Sequence, residues 1–215
     1  MILFCGDPHG EFQRLLAHAE TTRPDAIILL GDQTPERPLA AIMGTWAERT
    51  WYILGNHDSD QEKFLTRNLD SMPDRNLHAR VRPVAGVGVA GLGGVFRSQV
   101  WYPPNPPKWT DRAEFVRFTK PAHRFRRGPA LRHWTSIFPE DVQALARLHA
   151  DVLVTHEAPT THSHGFEVLD GLARDMGVRL VVHGHHESAG ESLLSGKIRV
   201  IGLGPGELFE WNQSS

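Results

Sequence analysis

The sequence predicts an α/β protein in which buried parallel strands alternate with helices. Short apolar runs recur along the chain, and between them apolar residues repeat at helical spacing. Several of these runs are followed at once by polar residues, as at the carboxyl ends of strands in an open sheet. The 215 residues are enough to bury one substantial core. We therefore expect a single domain over residues 1–215.

The first predicted elements are three strands, each followed by a helix. The strands are the apolar runs at 1–5, 26–30 and 51–54. The helices are predicted near 12–19, from Pro38 to Thr50, and near 60–66. Apolar residues at i, i+3, i+4 and i+7 define the first helix. The second begins with proline, which suits a first helical turn because its missing N–H is not needed there.

The second half of the chain departs from this simple alternation. Residues 81–96 alternate in hydrophobicity around a turn and predict two antiparallel strands. Residues 97–137 are rich in Pro, Trp and Arg and are too long for an ordinary loop, so we interpret them as an insertion or lid. The remaining predicted elements are a helix at 139–150, a strand at 152–154, a helix at 166–176, a strand at 180–182, and a closing hairpin with a final strand at 192–211.

Composition and charge give no case for nucleic-acid or membrane binding by the chain as a whole, so any charge argument must be local. The formal net charge is −2 and the sequence pI is near 6.7. The apolar start lacks the length and basic flank of a signal peptide, and no later segment has the length of a membrane span. Cys5 is the single cysteine, which excludes an internal disulfide and a multi-cysteine zinc site. A cytoplasmic protein is the natural expectation.

Five predicted strands end in clusters of aspartate, asparagine or histidine. The clusters are Asp7-Pro8-His9, Gly31-Asp32, Gly55-Asn56-His57-Asp58, His156, and His183-Gly184-His185. A single cluster of this kind is usually only a polar turn. Five of them at one sheet edge predict a site, and donors without thiolate suit Mn²⁺, Fe or Zn²⁺ better than Ca²⁺. Two such ions roughly 3.5–4 Å apart could generate hydroxide and hydrolyse a phosphoester.

With the motifs GDPHG, LLGDQ, LGNHD, VTHEAP and HGHHE in this order over residues 7–187, the sequence resembles the calcineurin-like metallophosphoesterase superfamily. The resemblance implies a layered fold, in which a central β-sandwich is flanked by helices. It also implies a centre for two transition-metal ions. The implied ligands are Asp7 and His9 for the first ion, Asp32 as the bridge, and Asn56, His156 and His185 for the second.

The resemblance further implies hydrolysis of a phosphomonoester or phosphodiester by a metal-activated hydroxide. His57 would protonate the leaving oxygen, and Asp58 would hold the His57 ring. Glu187 stands where the family has a second histidine, so either Glu187, His186 or water would complete the first site. We include Glu187 among the candidate ligands. A protein phosphatase is less favoured, because no Asp-Arg-Gly follows Gly31-Asp32.

Other residues are weaker candidates for substrate contact. Arg97, His162 and His164 could bind the phosphoester, although exposed arginines and loop histidines are more often merely solvated. Residues 108–133 hold eight basic and two acidic side chains, interleaved with aromatic ones. This segment predicts either a solvated lid or a wall that attracts a nucleotide or nucleic acid. The alternatives are therefore a nuclease or nucleotide phosphodiesterase, and a non-catalytic metal-binding scaffold, which would have no need of His57.

Overall fold

The computed structural model describes residues 1–187 and 190–212. Its strands are β1 (Ile2–Cys5), β2 (Ala26–Leu29), β3 (Thr50–Tyr52), β4 (Arg80–Val84), β5 (Val87–Leu92), β6 (Val152–Thr155), β7 (Leu180–His183), β8 (Gly190–Leu194), β9 (Ile198–Gly202) and β10 (Leu208–Trp211). Its α-helices are α1 (Gln13–Thr22), α2 (Leu39–Met43), α3 (Glu62–Leu69), α4 (Arg112–Phe118), α5 (Pro139–Ala146) and α6 (Glu167–Asp175).

The strands form two sheets. The first has the order β10-β1-β2-β3 and the second the order β4-β5-β6-β7-β9-β8. Within the first sheet β1, β2 and β3 are parallel, while β10 runs antiparallel to β1. In the second sheet β5, β6, β7 and β9 are parallel, and β4 and β8 are antiparallel edge strands. The parallel strands therefore bring their following loops to a common edge in each sheet.

Three apolar clusters hold the layers together. Along β1 the side chains alternate, so that Ile2 and Phe4 face the second sheet while Leu3 and Cys5 face the helices. One cluster lies between the two sheets, one packs α1 and α2 on the first sheet, and one packs α5 and α6 on the second. The predicted α/β sandwich flanked by helices is thus confirmed. Strands that are covered on both faces explain the unbroken apolar runs in the sequence.

Several predicted boundaries shift. The helix expected from Pro38 to Thr50 ends as α2 at Met43 and continues as a 3₁₀ helix over Gly44–Arg49. Gly44 has φ 54°, outside the helical range, which accounts for the break. The helix predicted to reach residue 150 ends at Ala146.

Residues 97–137 lie against the sandwich at both ends. Val95 pairs with Ser136 in an isolated bridge, so the segment leaves and rejoins the body at one neck. Across that neck the Arg97 guanidinium donates a hydrogen bond of 2.8 Å to the Thr135 carbonyl. Further along, Arg112 contacts Asp141 of α5 at 3.0 Å. The segment is therefore packed down on the sandwich.

No helix among the described residues is long and apolar enough to cross a membrane.

Candidate metal centre

Ligand-type side chains from both sheets meet at one edge of the sandwich. In each of two groups, one ligand atom from every member lies within 4.8 Å of the others. The groups are Asp7, His9 and Asp32, and Asp32, His156 and His185. The first sheet supplies the aspartates and His9 from the loops after β1 and β2, and the second sheet supplies His156 and His185 from the loops after β6 and β7. Asp32 belongs to both groups, as a bridging carboxylate between two ions must.

The charges of this edge favour bound cations. Asp7 is 3% exposed and Asp32 2%. The His156 imidazole lies 3.7 Å from Asp7 Oδ1 and 3.5 Å from Asp32 Oδ2. Burial lowers the pKa of His156, but the charges of Asp32 and Asp7 outweigh burial and raise it to about 10. The buried carboxylates thus stabilise a positive charge beside them, and a metal ion could supply that charge in place of the proton on His156.

Hydrogen bonding around Asp7 and His156 also fits metal ligation. Asp7 Oδ2 accepts a 2.8 Å hydrogen bond from the His185 N–H, whereas Asp7 Oδ1 is buried with no hydrogen-bond partner among the described residues. His156 Nδ1 lies 2.8 Å from the Leu30 carbonyl, so it donates there. Its Nε2 then faces Asn56 Oδ1 at 3.1 Å. Two facing acceptors need a proton or a cation between them, and a backbone-anchored Nδ1–H is typical of metal-binding histidine.

The ligand loops adopt costly backbone conformations. Asp7, His9, Asp32 and His185 have φ of 26°, 45°, 51° and 70°, in the left-handed region that non-glycine residues rarely occupy. Such conformations persist where the surrounding structure enforces them, commonly at functional sites. Gly31 has φ 106°, and a Cβ there would lie 2.4 Å from His156 Nδ1. Glycine at this position is therefore required by both the turn and the close approach of the ring.

His57 lies beside these groups, but its partner differs from the predicted one. Its ring is 5.6 Å from the His9 ring, and its Nδ1 lies 2.6 Å from Asp60 Oδ2. Asp58 does not hold the His57 ring, so that prediction is wrong. The physical reason is the 3₁₀ helix His57–Ser59, because residues three apart lie on one face of such a turn and Asp58 points inward.

Asp58 has a structural role instead. It is fully buried and accepts hydrogen bonds from the Thr34 N–H, the Gly55 N–H and the Asn68 side-chain amide, at 2.9, 2.9 and 3.0 Å. Burial raises its pKa to about 7, with Asp32 adding to the rise. Asp58 thereby ties the loop after β2 to the loop after β3. Because it holds the loops that carry Asp32 and Asn56, it shapes the centre without lying in either ligand group.

Glu187 does not join the first group. Its side chain is exposed, and neither ligand group contains it. The backbone explains the position, because a Cβ built on Gly204 would lie 2.8 Å from the Glu187 carbonyl oxygen, so the main chain here packs against Gly204. His186 does not complete the first group either. Its ring stacks on His162 with 3.8 Å between centroids.

A cleft of about 300 Å³ adjoins the second group. Asn56 and His185 line it, together with Arg97 and His164. Two of the three predicted substrate-contact residues therefore lie on the same cleft as two predicted ligands. The third, His162, lies behind the cleft wall, where it stacks on His186 and accepts a hydrogen bond from the His164 N–H.

Two residues of this region escaped the sequence-based prediction. Asp60 is the partner of His57, and its only signal is its spacing of three residues. Glu157 is 5% exposed in the cleft wall, accepts a 3.0 Å hydrogen bond from the Phe96 N–H and lies 3.9 Å from His185 Nε2. Burial raises the pKa of Glu157 to about 7. It directly follows His156 in the VTHEAP motif, which was the available signal.

Comparisons with known proteins identify the family and the fold of the chain. The family model for calcineurin-like phosphoesterase matches residues 1–186. A protein of Haemophilus influenzae (strain ATCC 51907 / DSM 11121 / KW20 / Rd), described only as uncharacterized, is 42% identical over 189 residues, covering 86% of this chain and 83% of that protein.

Two solved structures share the fold. The TT1561 protein of Thermus thermophilus matches with a TM-score of 0.59 at 18% identity, over 95% of this chain and 88% of that one. A 5′-nucleotidase from Candida albicans SC5314 matches with a TM-score of 0.50 at 13% identity, over 95% of this chain and 46% of that one. At these identities the likeness extends to the fold alone.

Proposed function

Because the chain belongs to the calcineurin-like phosphoesterase family, we propose that it hydrolyses phosphoesters with two transition-metal ions bound at the strand-end centre. The observation that carries the proposal is the membership of Asp32 in both ligand groups. Asp7 and His9 would hold one ion with Asp32, while Asn56, His156 and His185 would hold the other. When bound, the two ions supply Lewis-acid stabilisation of the phosphoryl oxygens and an acidified water as nucleophile. Mn²⁺, Fe and Zn²⁺ all suit this donor set.

His57 is the proposed general acid. Asp60 engages Nδ1 at 2.6 Å, which leaves Nε2 to protonate the leaving oxygen. Burial lowers the pKa of His57, but the hydrogen bond to Asp60 and the charges of Asp32 and Asp60 raise it above its ordinary value. A larger fraction of the ring therefore carries the proton at neutral pH. Half of the side chain is exposed, so a leaving group can reach it.

The cleft beside the centre supports a small phosphoester as substrate. Its volume of about 300 Å³ lies at the lower end of the range for small-molecule sites. Arg97 places a guanidinium on the cleft wall, held in position by its hydrogen bond to the Thr135 carbonyl. We propose that Arg97 binds a phosphoryl oxygen of the substrate, with His164 on the same wall. A phosphomonoester or a small phosphodiester fits this description.

The test is metal-dependent turnover of para-nitrophenyl phosphate and its bis ester. The untagged protein is stripped with chelator, dialysed, and assayed with and without added Mn²⁺, Zn²⁺ or Fe²⁺. We expect activity only after an ion is restored. Asp32→Asn should lose activity and the metal bound at the strand-end centre, whereas Asp74→Asn, at an exposed position, should retain both. Equal activity of the stripped and restored protein would contradict the proposal, and metal binding without turnover would favour a scaffold.

A nucleotide or nucleic-acid substrate is the second candidate. The observation that favours it is Phe118, which is 65% exposed and packs on Trp109 at 5.1 Å between ring centroids. Exposed Lys108, Arg117 and Lys120 lie close to it in sequence. Against this, Arg112 and Arg126 are paired with aspartates and are not available to phosphates. Phe118→Ala should then weaken turnover of a dinucleotide while leaving that of para-nitrophenyl phosphate unchanged.

A further inference from the structure

A group of three histidines lies beside the cleft and outside the two groups that share Asp32. One ring nitrogen from each of His162, His164 and His186 lies within 4.8 Å of the others. The His162 and His186 rings stack with 3.8 Å between centroids and 18° between planes. The His164 ring is 5.6 Å from His162 and 6.2 Å from His186. Three loop histidines that were merely solvated would not need to converge in this way.

Two separate loops build the group. His162 and His164 lie after β6 in a turn in which the His162 N–H donates to the Pro159 carbonyl at 3.0 Å and the Gly165 N–H to the His162 carbonyl at 2.9 Å. His186 follows β7, directly after the proposed ligand His185. The group therefore depends on the same parallel pair of strands, β6 and β7, that supplies His156 and His185.

His186 shows the need for a further partner. Its Nε2 is buried and has no hydrogen-bond partner among the described residues. A buried nitrogen without a partner costs free energy, so such atoms in proteins are nearly always satisfied by a group or an ion. An ion that bound His162 through Nδ1 would displace the His164 N–H, which donates a long hydrogen bond of 3.2 Å to that nitrogen.

From these observations we propose that His162, His164 and His186 form a third metal site, which takes a divalent transition ion such as Zn²⁺ or Co²⁺. Three imidazoles without a carboxylate suit Zn²⁺, Co²⁺, Ni²⁺ or Cu²⁺, and disfavour Mg²⁺ and Mn²⁺. Three protein ligands leave a coordination position open for water or an anion. The exposed His164 gives an ion access from solvent. The donor set thus differs from that of the centre around Asp32, which mixes carboxylates with imidazoles.

The position of the site gives it a role in the cleft. His164 and His186 both line the cleft next to His185. An ion bound to them adds positive charge to the cleft wall, where a phosphate of the substrate would bind. If the histidines instead contact phosphate directly, no extra ion is needed and the metal content of the chain does not depend on them.

Metal stoichiometry decides between these outcomes. Untagged protein, stripped with chelator, is equilibrated with a small excess of Zn²⁺ or Co²⁺, dialysed, and analysed for metal and for folding by circular dichroism. We expect His164→Gln, and the double variant His162→Ala/His164→Ala, to hold one equivalent less than wild type. His123→Ala, at an exposed histidine elsewhere, should match wild type. In the Co²⁺ protein, the same variants should lose part of the visible absorption of nitrogen-ligated cobalt.

Equal metal content in wild type and the folded His164→Gln variant would overturn the proposal. The Asp32→Asn variant separates this proposal from the proposed function. If Asp32→Asn keeps one equivalent of metal, and adding His164→Gln to that variant removes it, the third site exists whether or not the centre around Asp32 holds two ions. If Asp32→Asn binds no metal at all, the three histidines do not form an independent site.

Discussion

At the scale of single residues, the candidate centre separates groups that hold charge from groups that move a proton. His156 is fully buried between two carboxylates, while His57 lies half exposed next to them. A buried imidazole among carboxylates suits ligation, and an exposed one with a carboxylate on Nδ1 suits proton transfer. The two histidines should therefore respond differently to substitution.

Substitution of these two histidines should separate their roles. His57→Ala is expected to lower kcat by roughly 10²–10⁴-fold, the usual range for a general acid, with metal content near that of wild type. His156→Ala should lose metal and activity together. Metal analysis and steady-state kinetics on the same preparations make the comparison. Loss of metal from His57→Ala to the same extent as from His156→Ala would exclude the acid role.

Asp60→Asn should affect turnover according to the leaving group. Without the carboxylate on Nδ1, the pKa of His57 falls and less of the ring is protonated. We expect a loss of roughly tenfold or more in kcat for phenyl phosphate, whose leaving group needs a proton, and a smaller loss for para-nitrophenyl phosphate. Asp58→Asn should instead lower thermal stability, since Asp58 braces the loops. Equal losses for both substrates in Asp60→Asn would argue against proton donation through this pair.

Glu187→Ala is expected to leave both metal content and the pH–rate profile unchanged. The side chain is exposed and lies in neither ligand group, so the first ion would be held by Asp7, His9 and Asp32 with water. Glu187→His should likewise not shift the preference between Mn²⁺ and Zn²⁺. A shift of metal preference in Glu187→His would mean that the carboxylate turns inward when an ion binds.

At the scale of elements, the packed segment 97–137 is fastened to α5 through Asp141. The carboxylate accepts from the Phe138 N–H at 2.9 Å at the start of that helix, contacts Arg112 at 3.0 Å and lies 3.4 Å from His78 Nε2. Burial raises the pKa of Asp141, but His78 and Arg112 outweigh it and lower the pKa to about 2. One carboxylate thus joins the helix end, the segment and the loop before β4.

The Asp141 interactions should make stability depend on pH in a defined window. Because the folded-state pKa is below the ordinary 3.8, the contribution is complete above pH 3.8 and is lost as pH falls through about 2. The shift corresponds to about 2 kcal/mol of unfolding free energy. Asp141→Asn should therefore destabilise the metal-free protein at pH 7, and the difference from wild type should shrink below about pH 4. Urea unfolding tests this, with the exposed Asp74→Asn as control; a difference independent of pH would contradict it.

At the scale of the whole molecule, the candidate centre joins the two sheets. The first sheet carries Asp7, His9 and Asp32, and the second carries His156 and His185. An ion shared between them would tie the layers together at an edge where the carboxylates of Asp7 and Asp32 are buried. Metal binding at the proposed centre would thus be coupled to the stability of the entire sandwich.

Metal should consequently raise the thermal stability of the protein. An ion at about 100 times its Kd stabilises the folded state by roughly 2.7 kcal/mol, if it does not bind the unfolded chain. We expect Tm to rise when Mn²⁺ or Zn²⁺ is added to the stripped protein and to fall again with chelator. Asp32→Asn should abolish most of the rise, whereas Asp74→Asn should not. A Tm that is insensitive to metal in wild type would mean that the ions do not join the sheets.

The sequence by itself determined the fold class and the edge at which the polar clusters meet. Apolar runs that are buried on both faces carry a local signal, and parallel strands bring their carboxyl ends to one side whatever the details of packing. The order of five motifs was therefore enough to bring Asp7, Asp32, His156 and His185 into one region. The same local rules placed α2 correctly but not its end at Gly44, since a single backbone angle decides where a helix stops.

Only the tertiary structure decided which side chains touch. From the sequence alone, either Asp58 or Asp60 could be the partner of His57. In the structure the 3₁₀ turn directs Asp58 to the core and Asp60 to the His57 ring. Likewise the main chain at Glu187 packs against Gly204, and the Glu187 side chain is exposed while the neighbouring His186 ring stacks on His162. The contact between His186 and His162 joins segments that are distant along the chain, so no spacing in the sequence encodes it.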